Sequence, residues 1–379
     1  MPSFLADLIR AEIVHRGPIP FRDFMELALY HPEHGYYTSG CAAIGRHGDF
    51  FTNVSVGPLF GRLLAEQFAE IWRRFGSPEH FTIVEQGAHD GQFALDVLSH
   101  LQHHAPIFAK AARYVVVEPA PRACEVQRKT LQNFAQTVRW ADSLADLSPF
   151  IGVHFSNELI DAFPVHAVKW TGSRWIERRV GMNGESLVFA DGELSSPALA
   201  AAVSALPPVQ PGYETEINLA AGAWLDALSA KLERGCLLAI DYGFPYEEYY
   251  RPDRISGTLS AYAAHRREPD PLVRPGEIDL TAHVEFTSLA AHGLRLGFEL
   301  AGFADQHHFI VGLSRLHFSD APPVTAAAQK ALRALQTLMH PSFMGRSFEA
   351  LCLARGMDAA APLAGFQFAA NPKKALGIH

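Results

Sequence analysis

The stretch that most restricts the fold is Phe81–Gly91, Phe-Thr-Ile-Val-Glu-Gln-Gly-Ala-His-Asp-Gly. Four residues of β character, Phe81 to Val84, lead into Glu85 and a turn with glycine at both ends, Gly87 and Gly91. Phe93, Ala94, Val97, Leu98 and Leu101 then recur at helical spacing. The stretch therefore reads as strand, tight turn, helix. In an open α/β sheet such a turn sits at the carboxyl end of a central strand, where ligands bind. Gly87 lets the backbone approach a ligand without a Cβ, and the helix start offers free N–H groups. Glu85 can accept hydrogen bonds from a cationic or hydroxyl-bearing ligand. The dinucleotide fingerprint Gly-x-Gly-x-x-Gly is incomplete, because His89-Asp90 occupy the turn.

The strand-then-acid pattern repeats. Tyr114–Val117 is a continuous apolar strand ending at Glu118, near the interval at which a ribose-binding acid is expected. A short strand at Thr137–Trp140 leads to Asp142, Gly152–Asn157 leads to Glu158, and Leu237–Asp241 leads to Tyr242-Gly243. Periodicity predicts helices over 3–15, 21–30, 58–75, 120–134, 220–232, 286–300 and 324–339, and strands over 306–313 and 348–354. Residues 165–215 alternate aromatic and polar side chains, as in a small antiparallel insert. Residues 242–285 form a long connection of the kind used for lids. Five parallel strands with a two-strand finish match the sheet of class I S-adenosylmethionine (AdoMet) methyltransferases. The expected fold is α/β: a Rossmann-like sheet of seven strands, mostly parallel, with an N-terminal helical lobe and an inserted β-rich subdomain. The expected domains are the helical lobe at 1–78, the first half of the cofactor-binding core at 79–164, an inserted antiparallel substrate subdomain at 165–219, and the second half of the core at 220–379, with the lid connection at 242–285.

Glu85, Glu118, Asp142 and Glu158 each close a strand, so in a doubly wound sheet they converge on one crevice. An anionic rim suits AdoMet, whose ribose hydroxyls, adenine amino group and methionine ammonium are donors; it suits a pyrophosphate poorly. Gly87 and Gly91 shape the cofactor turn. Asn157-Glu158-x-x-Asp161 follows the fourth strand. If a helix starts there, Asp161 lies one turn beyond Glu158, and both carboxylates can hold one guanidinium and aim its nitrogen at the sulfonium. Asn157 can alternatively cap that helix.

Other chemistries lack their residues. Cys41, Cys124, Cys236 and Cys352 form no Cys-x-x-Cys pair, and no His-Glu-x-x-His occurs among the 19 histidines. The pairs His103-His104 and His307-His308 are adjacent in sequence and point to different faces, so no metal site is expected. A net charge of −8 gives no broad basic field for nucleic acid. No apolar run reaches the length of a membrane span or a signal peptide. A soluble protein of the bacterial cytoplasm is expected.

The chain also carries Ile19-x-Phe21-x-x-Phe24-Met25, His31-Pro32-x-x-Gly35-Tyr36-Tyr37, Gly48-Asp49-Phe50-x-Thr52 and Pro58-Leu59-Phe60-Gly61. It continues with Ser156-Asn157-Glu158-x-x-Asp161-Ala162-x-Pro164-Val165, Asp241-Tyr242-Gly243, Gly257-Thr258-Leu259, His265, Pro271-Leu272, Pro275-Gly276 and Asp279-Leu280-Thr281-Ala282-x-Val284-x-Phe286. In these segments it resembles the MidA-like family, whose mitochondrial members are protein arginine methyltransferases that assist assembly of respiratory complex I. The resemblance implies a class I methyltransferase core, AdoMet as cofactor and an arginine-bearing protein segment as substrate. It implies cofactor contacts from Gly48, Asp49 and Thr52, and substrate contacts from His31, Tyr36, Tyr242, His265, Asp279 and Thr281. The family usually has Glu-x-Gly-Pro-Gly-x-Gly at Glu85–Gly91 and Thr-Ser-Pro at Thr52–Val54. A His89 side chain then points toward the methionine moiety. The competing reading is a non-catalytic assembly or scaffolding protein that keeps the fold. An NAD(P)-dependent oxidoreductase fits least, given the acidic crevice and broken fingerprint. A homodimer is left open.

Overall fold

Apolar spacing sorts most of the chain into its elements. The computed structural model describes residues 4–40, 52–263, 266–317, 325–340, 345, 347–357 and 361–379. In chain order it begins with α1 (Phe4–Arg16), β1 (Ile19–Pro20), α2 (Phe21–Tyr30), α3 (Leu59–Arg74), β2 (Phe81–Gln86), α4 (Gln92–His104), α5 (Pro106–Ala111), β3 (Ala112–Val117), α6 (Pro121–Thr130), β4 (Val138–Ala141) and β5 (Phe150–Asn157). Next come β6 (His166–Trp170), β7 (Trp175–Asn183), β8 (Ser186–Gly192), α7 (Pro197–Ser204), β9 (Glu214–Ile217), α8 (Leu219–Ser229), β10 (Leu232–Phe244) and α9 (Tyr246–Tyr249). The remainder is β11 (Ser260–Ala263), β12 (Arg266–Glu268), β13 (Asp279–Thr281), β14 (Val284–Glu285), α10 (Phe286–Arg295), β15 (Glu299–Asp305), α11 (Gln306–His317), α12 (Ala326–Met339), β16 (Phe348–Arg355) and α13 (Pro372–Ala375).

The chain divides into two compact units, each built from three segments. The first unit is Met1–Phe50, Ile160–Trp224 and Tyr246–Glu285; the second is Phe51–Leu159, Leu225–Pro245 and Phe286–His379.

Seven strands of the second unit follow the order β15-β16-β10-β5-β2-β3-β4. From β4 through β10 neighbouring strands are parallel. β16 runs antiparallel to both β10 and β15. This is the expected seven-stranded, mostly parallel sheet, and β16 is its antiparallel inserted strand. Chain order reverses between β2 and β5, which fixes the ligand crevice at their carboxyl ends. β5 is buried along nearly its whole length, as a strand covered on both faces must be. α3 presents Phe60, Leu63, Leu64, Phe68 and Ile71 at helical spacing. Phe60 and Phe68 pack on Phe93 of α4, and Phe93 stacks on Phe155 of β5 at 4.5 Å. Each such ring contributes about 2–3 kcal/mol by leaving water.

One expectation is corrected here. Residues 306–313 are not a strand; they open α11, and the strand is Glu299–Asp305 just before it. Phe309, Ile310 and Val311 read locally as a β run. The burial of Gln306, Phe309, Ile310 and Leu313 follows a helical face instead.

In the first unit β7 pairs antiparallel with β1, β6 and β8, and β6 pairs with β9. α1 and α2 bury Leu5, Ile9, Phe21, Phe24 and Met25 against Val165 and Val180. The expected 242–285 connection starts inside β10; from Tyr246 to Glu285 it belongs to this unit, with β11 pairing antiparallel to β12 and β13. Its anchor is Glu216 of β9, only 4% exposed. The Glu216 carboxylate accepts from the Thr258 amide at 2.8 Å, the Thr258 hydroxyl at 2.9 Å and the Leu259 amide at 3.2 Å. Gly257 before them has φ +66°, and a Cβ there would overlap that carboxylate. Among the described residues no helix is long and apolar enough to cross a membrane.

Candidate functional site

Because β2 to β5 are parallel, their carboxyl ends share one edge, and the four expected acids lie along it. Glu85 is the penultimate residue of β2 and is 4% exposed. Its Oε2 accepts from the Tyr114 hydroxyl at 2.7 Å. Burial lifts the Glu85 carboxyl to about 8, against the opposing pull of that hydrogen bond. A carboxyl raised in this way is neutral in the folded chain at pH values where the unfolded chain has ionised it. Its contribution to stability is therefore full below the unfolded value near 4.5 and is lost as pH rises to about 8. Glu85→Gln should remove this dependence, so the stability gap in favour of the variant should widen from pH 5 to pH 8 in urea melts. A pH-independent gap would contradict it.

Glu118 follows β3 directly. Its Oε1 accepts from the Ala120 amide at 3.0 Å and its Oε2 from the Gln127 side-chain amide at 3.0 Å. Burial raises its carboxyl and these donors pull it back. Gln127, fully buried on α6, also donates to the His89 carbonyl at 2.9 Å and accepts from the Trp140 indole at 2.9 Å. It thus ties the β3 end to the glycine turn and to β4. Sequence reasoning passed over Gln127; its only signal was a place three residues from Cys124 on the buried face of α6. Asp142 is exposed just past β4.

In the turn, Gly87 and Gly91 have φ of +82° and +80°. A Cβ on Gly87 would touch Leu159 at 3.4 Å. Asp90 accepts from the Gln92 amide at 3.0 Å at the start of α4. His89, at the position where the resembled family has its middle glycine, holds φ +47°. A left-handed non-glycine residue costs about 1–2 kcal/mol. His89→Gly should accordingly raise stability by about 1 kcal/mol in equilibrium unfolding; a loss would mean that the imidazole supports the turn.

At the end of β5 the structure corrects a second expectation. No helix follows Asn157; residues 158–163 form bends and a turn. The helical spacing of Glu158 and Asp161 therefore does not apply, and Asn157 caps nothing. Instead Asn157 Oδ1 accepts from Asn53 Nδ2 at 2.9 Å, and Asn157 Nδ2 donates to Glu158 Oε1 at 2.8 Å. Asn53 in turn accepts from Gln306 Nε2 at 2.8 Å. Three amides thus run in series through the unit and end on the Glu158 carboxylate. The Glu158 amide donates to the Ile240 carbonyl at 3.0 Å, and the Leu159 amide donates to Asp241 at 3.1 Å. Glu158 itself has φ +53°, and strained backbone of this kind clusters at functional sites. Thr52, 8% exposed, pairs with Ser55. Tyr242 lies on β10 with its ring 3.9 Å from that of Phe348.

Five of the expected residues that the structure describes lie in the first unit. Asp279 is buried and accepts from the Tyr37 hydroxyl at 2.7 Å. Burial and then Asp279 push the Tyr37 hydroxyl well above its usual range, and Asp161 adds to that rise. Asp161 is buried, and its carbonyl accepts from the Ala282 amide at 2.8 Å. The unit thus brings Asp161, Asp279 and Tyr37 together. Tyr36 is buried edge-on against Tyr37. His31 ends α2, and its Nδ1 accepts from the Glu33 and His34 amides at 3.3 Å, a turn-stabilising role. Thr281 pairs with Ser260 in the small sheet. Gly48, Asp49 and His265 lie outside the described residues.

Residues 63–304 match the sequence model of the family described as "Putative S-adenosyl-L-methionine-dependent methyltransferase". The chain is 29% identical to the Drosophila melanogaster protein arginine methyltransferase NDUFAF7 homolog, mitochondrial, over 96% of this chain and 88% of the relative. It is 26% identical to the human protein arginine methyltransferase NDUFAF7, mitochondrial, over 90% of this chain and 81% of that one. A crystal structure of a COG1565 superfamily member from Burkholderia thailandensis bound to S-adenosyl-homocysteine is 34% identical, covers 95% of this chain and 94% of its own, and superposes with a TM-score of 0.86.

Proposed function

The chain belongs to the family of S-adenosyl-L-methionine-dependent methyltransferases, and from that premise we propose that it methylates an arginine side chain of a protein. The observation that carries the substrate is Glu158, a carboxylate at the switch-point edge held by the Asn157 amide. A guanidinium stays protonated at any working pH and needs a fixed anionic partner. The names of the Drosophila and human relatives support the same substrate class. A role in assembly of a respiratory complex is carried over from the MidA-like resemblance.

The cofactor fits the residues present. Gly87 and Gly91 keep Cβ atoms out of the turn, α4 directs its first-turn amides toward the edge, and Glu85, Glu118 and Asp142 offer acceptors along the rim. AdoMet, when bound, supplies an electrophilic methyl on a sulfonium. This chain's part is positioning and one proton: Glu158 holds the guanidinium, Asn157 fixes the carboxylate, and the methylated nitrogen releases a proton to that carboxylate or to water. In an in-line displacement such alignment supplies much of the rate.

A second reading, a scaffold that keeps the fold, draws on His89 in its strained, left-handed place in the cofactor turn. Calorimetric titration with AdoMet separates the two. Micromolar binding, about −8 kcal/mol, with arginine methylation seen by mass spectrometry in cells carrying the gene and absent on its deletion, supports the enzyme. No binding at millimolar AdoMet supports the scaffold.

A further inference from the structure

We infer that Glu66, His100 and His317 form a binding site for a zinc-class divalent metal ion, apart from the cofactor edge. The three side chains come from three helices of the second unit, α3, α4 and α11, and their ligand atoms all lie within 4.8 Å of one another. His100 Nε2 and Glu66 Oε1 are already 2.7 Å apart, with side chains 3% and 23% exposed. The His317 ring centroid is 5.6 Å from that of His100. One turn along α4, His104 stacks on His100 at 4.3 Å with an interplanar angle of 15°.

Zinc takes imidazole nitrogen and carboxylate oxygen at about 2.0–2.2 Å, which sets tetrahedral donors about 3.3 Å apart. The His100–Glu66 pair is within that reach. His317, the last residue of α11, has its ligand atom within 4.8 Å of the other two. Three protein ligands leave a fourth position, which water or the exposed His104 can take. Imidazole with carboxylate suits zinc over calcium or magnesium, which prefer all-oxygen shells. The adjacent pair His103-His104 looked unproductive because neighbours on a helix diverge. His104, four residues beyond His100, shares its face instead. His103 turns away to the Ser99 carbonyl.

The test uses the full chain freed of metal by a chelator, titrated with zinc chloride by calorimetry, with cobalt absorption reporting ligand geometry. One ion per chain is expected, with a tetrahedral cobalt spectrum and a melting temperature that rises with zinc. His317→Ala and Glu66→Gln should each weaken binding at least about tenfold, while His308→Ala should leave it unchanged. Glu66→Gln keeps the side-chain volume and decides the matter if His317→Ala does not fold. Absence of saturable zinc binding by the parent overturns the inference. So does binding that survives Glu66→Gln intact, or that falls equally in His308→Ala.

Discussion

Glu158→Gln should leave AdoMet affinity within about twofold of the parent and slow methyl transfer more than a hundredfold, a loss of about 3 kcal/mol. The variant keeps the shape of the side chain, and Asn157 can still donate to the remaining oxygen. Glutamine also inherits the φ of +53° at no greater strain than glutamate. What disappears is the negative charge that a guanidinium needs to stay fixed in front of the sulfonium. The signature is a fall in kcat with an unaltered cofactor titration. Turnover equal to that of the parent would remove Glu158 from the substrate clamp.

Gly257→Ala should destabilise the first unit by about 4 kcal/mol or more, in the range reserved for broken buried networks. Two effects add. A Cβ at φ +66° costs about 1–2 kcal/mol. It also displaces the Glu216 carboxylate from Thr258 and Leu259, and each buried donor left without an acceptor costs about 1–3 kcal/mol. Gly212→Ala is the control, since Gly212 has φ +88° with open space around its Cβ position. It carries the backbone penalty alone. If urea melts show the same loss for both variants, the Glu216 anchor contributes little and the 242–285 connection is held elsewhere.

The strands of the core were legible because their cues are local. An apolar run followed by an acid marks β2, β3, β4 and β5, and helical spacing marks α2 and α3 to within a residue. Where the local cue is ambiguous, tertiary packing decides. Gln306–Leu313 has a β-like centre but a helical burial pattern, and Asn157 resembled a cap in a segment where no helix starts. The acids of the rim were found for the same local reason. Their partners were not, because Asn53 and Asn157 are 104 residues apart, Gln306 and Asn53 are 253 apart, and Tyr37 and Asp279 are 242 apart. No period within one segment encodes such pairs. They follow from topology, which only the assembled sheets supply.

The place of β16 bears on how the chain is made. Among the described residues it is the last strand, yet it lies inside the sheet, flanked by β10 and β15. About a hundred residues separate the end of β10 from its start. At ribosomal rates that is roughly 5–20 s during which the Leu237–Ile240 edge lacks its β16 partners. An unpaired apolar edge is a template for pairing with other chains. The inner edge of the sheet is therefore exposed to wrong pairing until Phe348–Arg355 has emerged. A chain cut short before Phe348 should aggregate rather than persist as a smaller sheet.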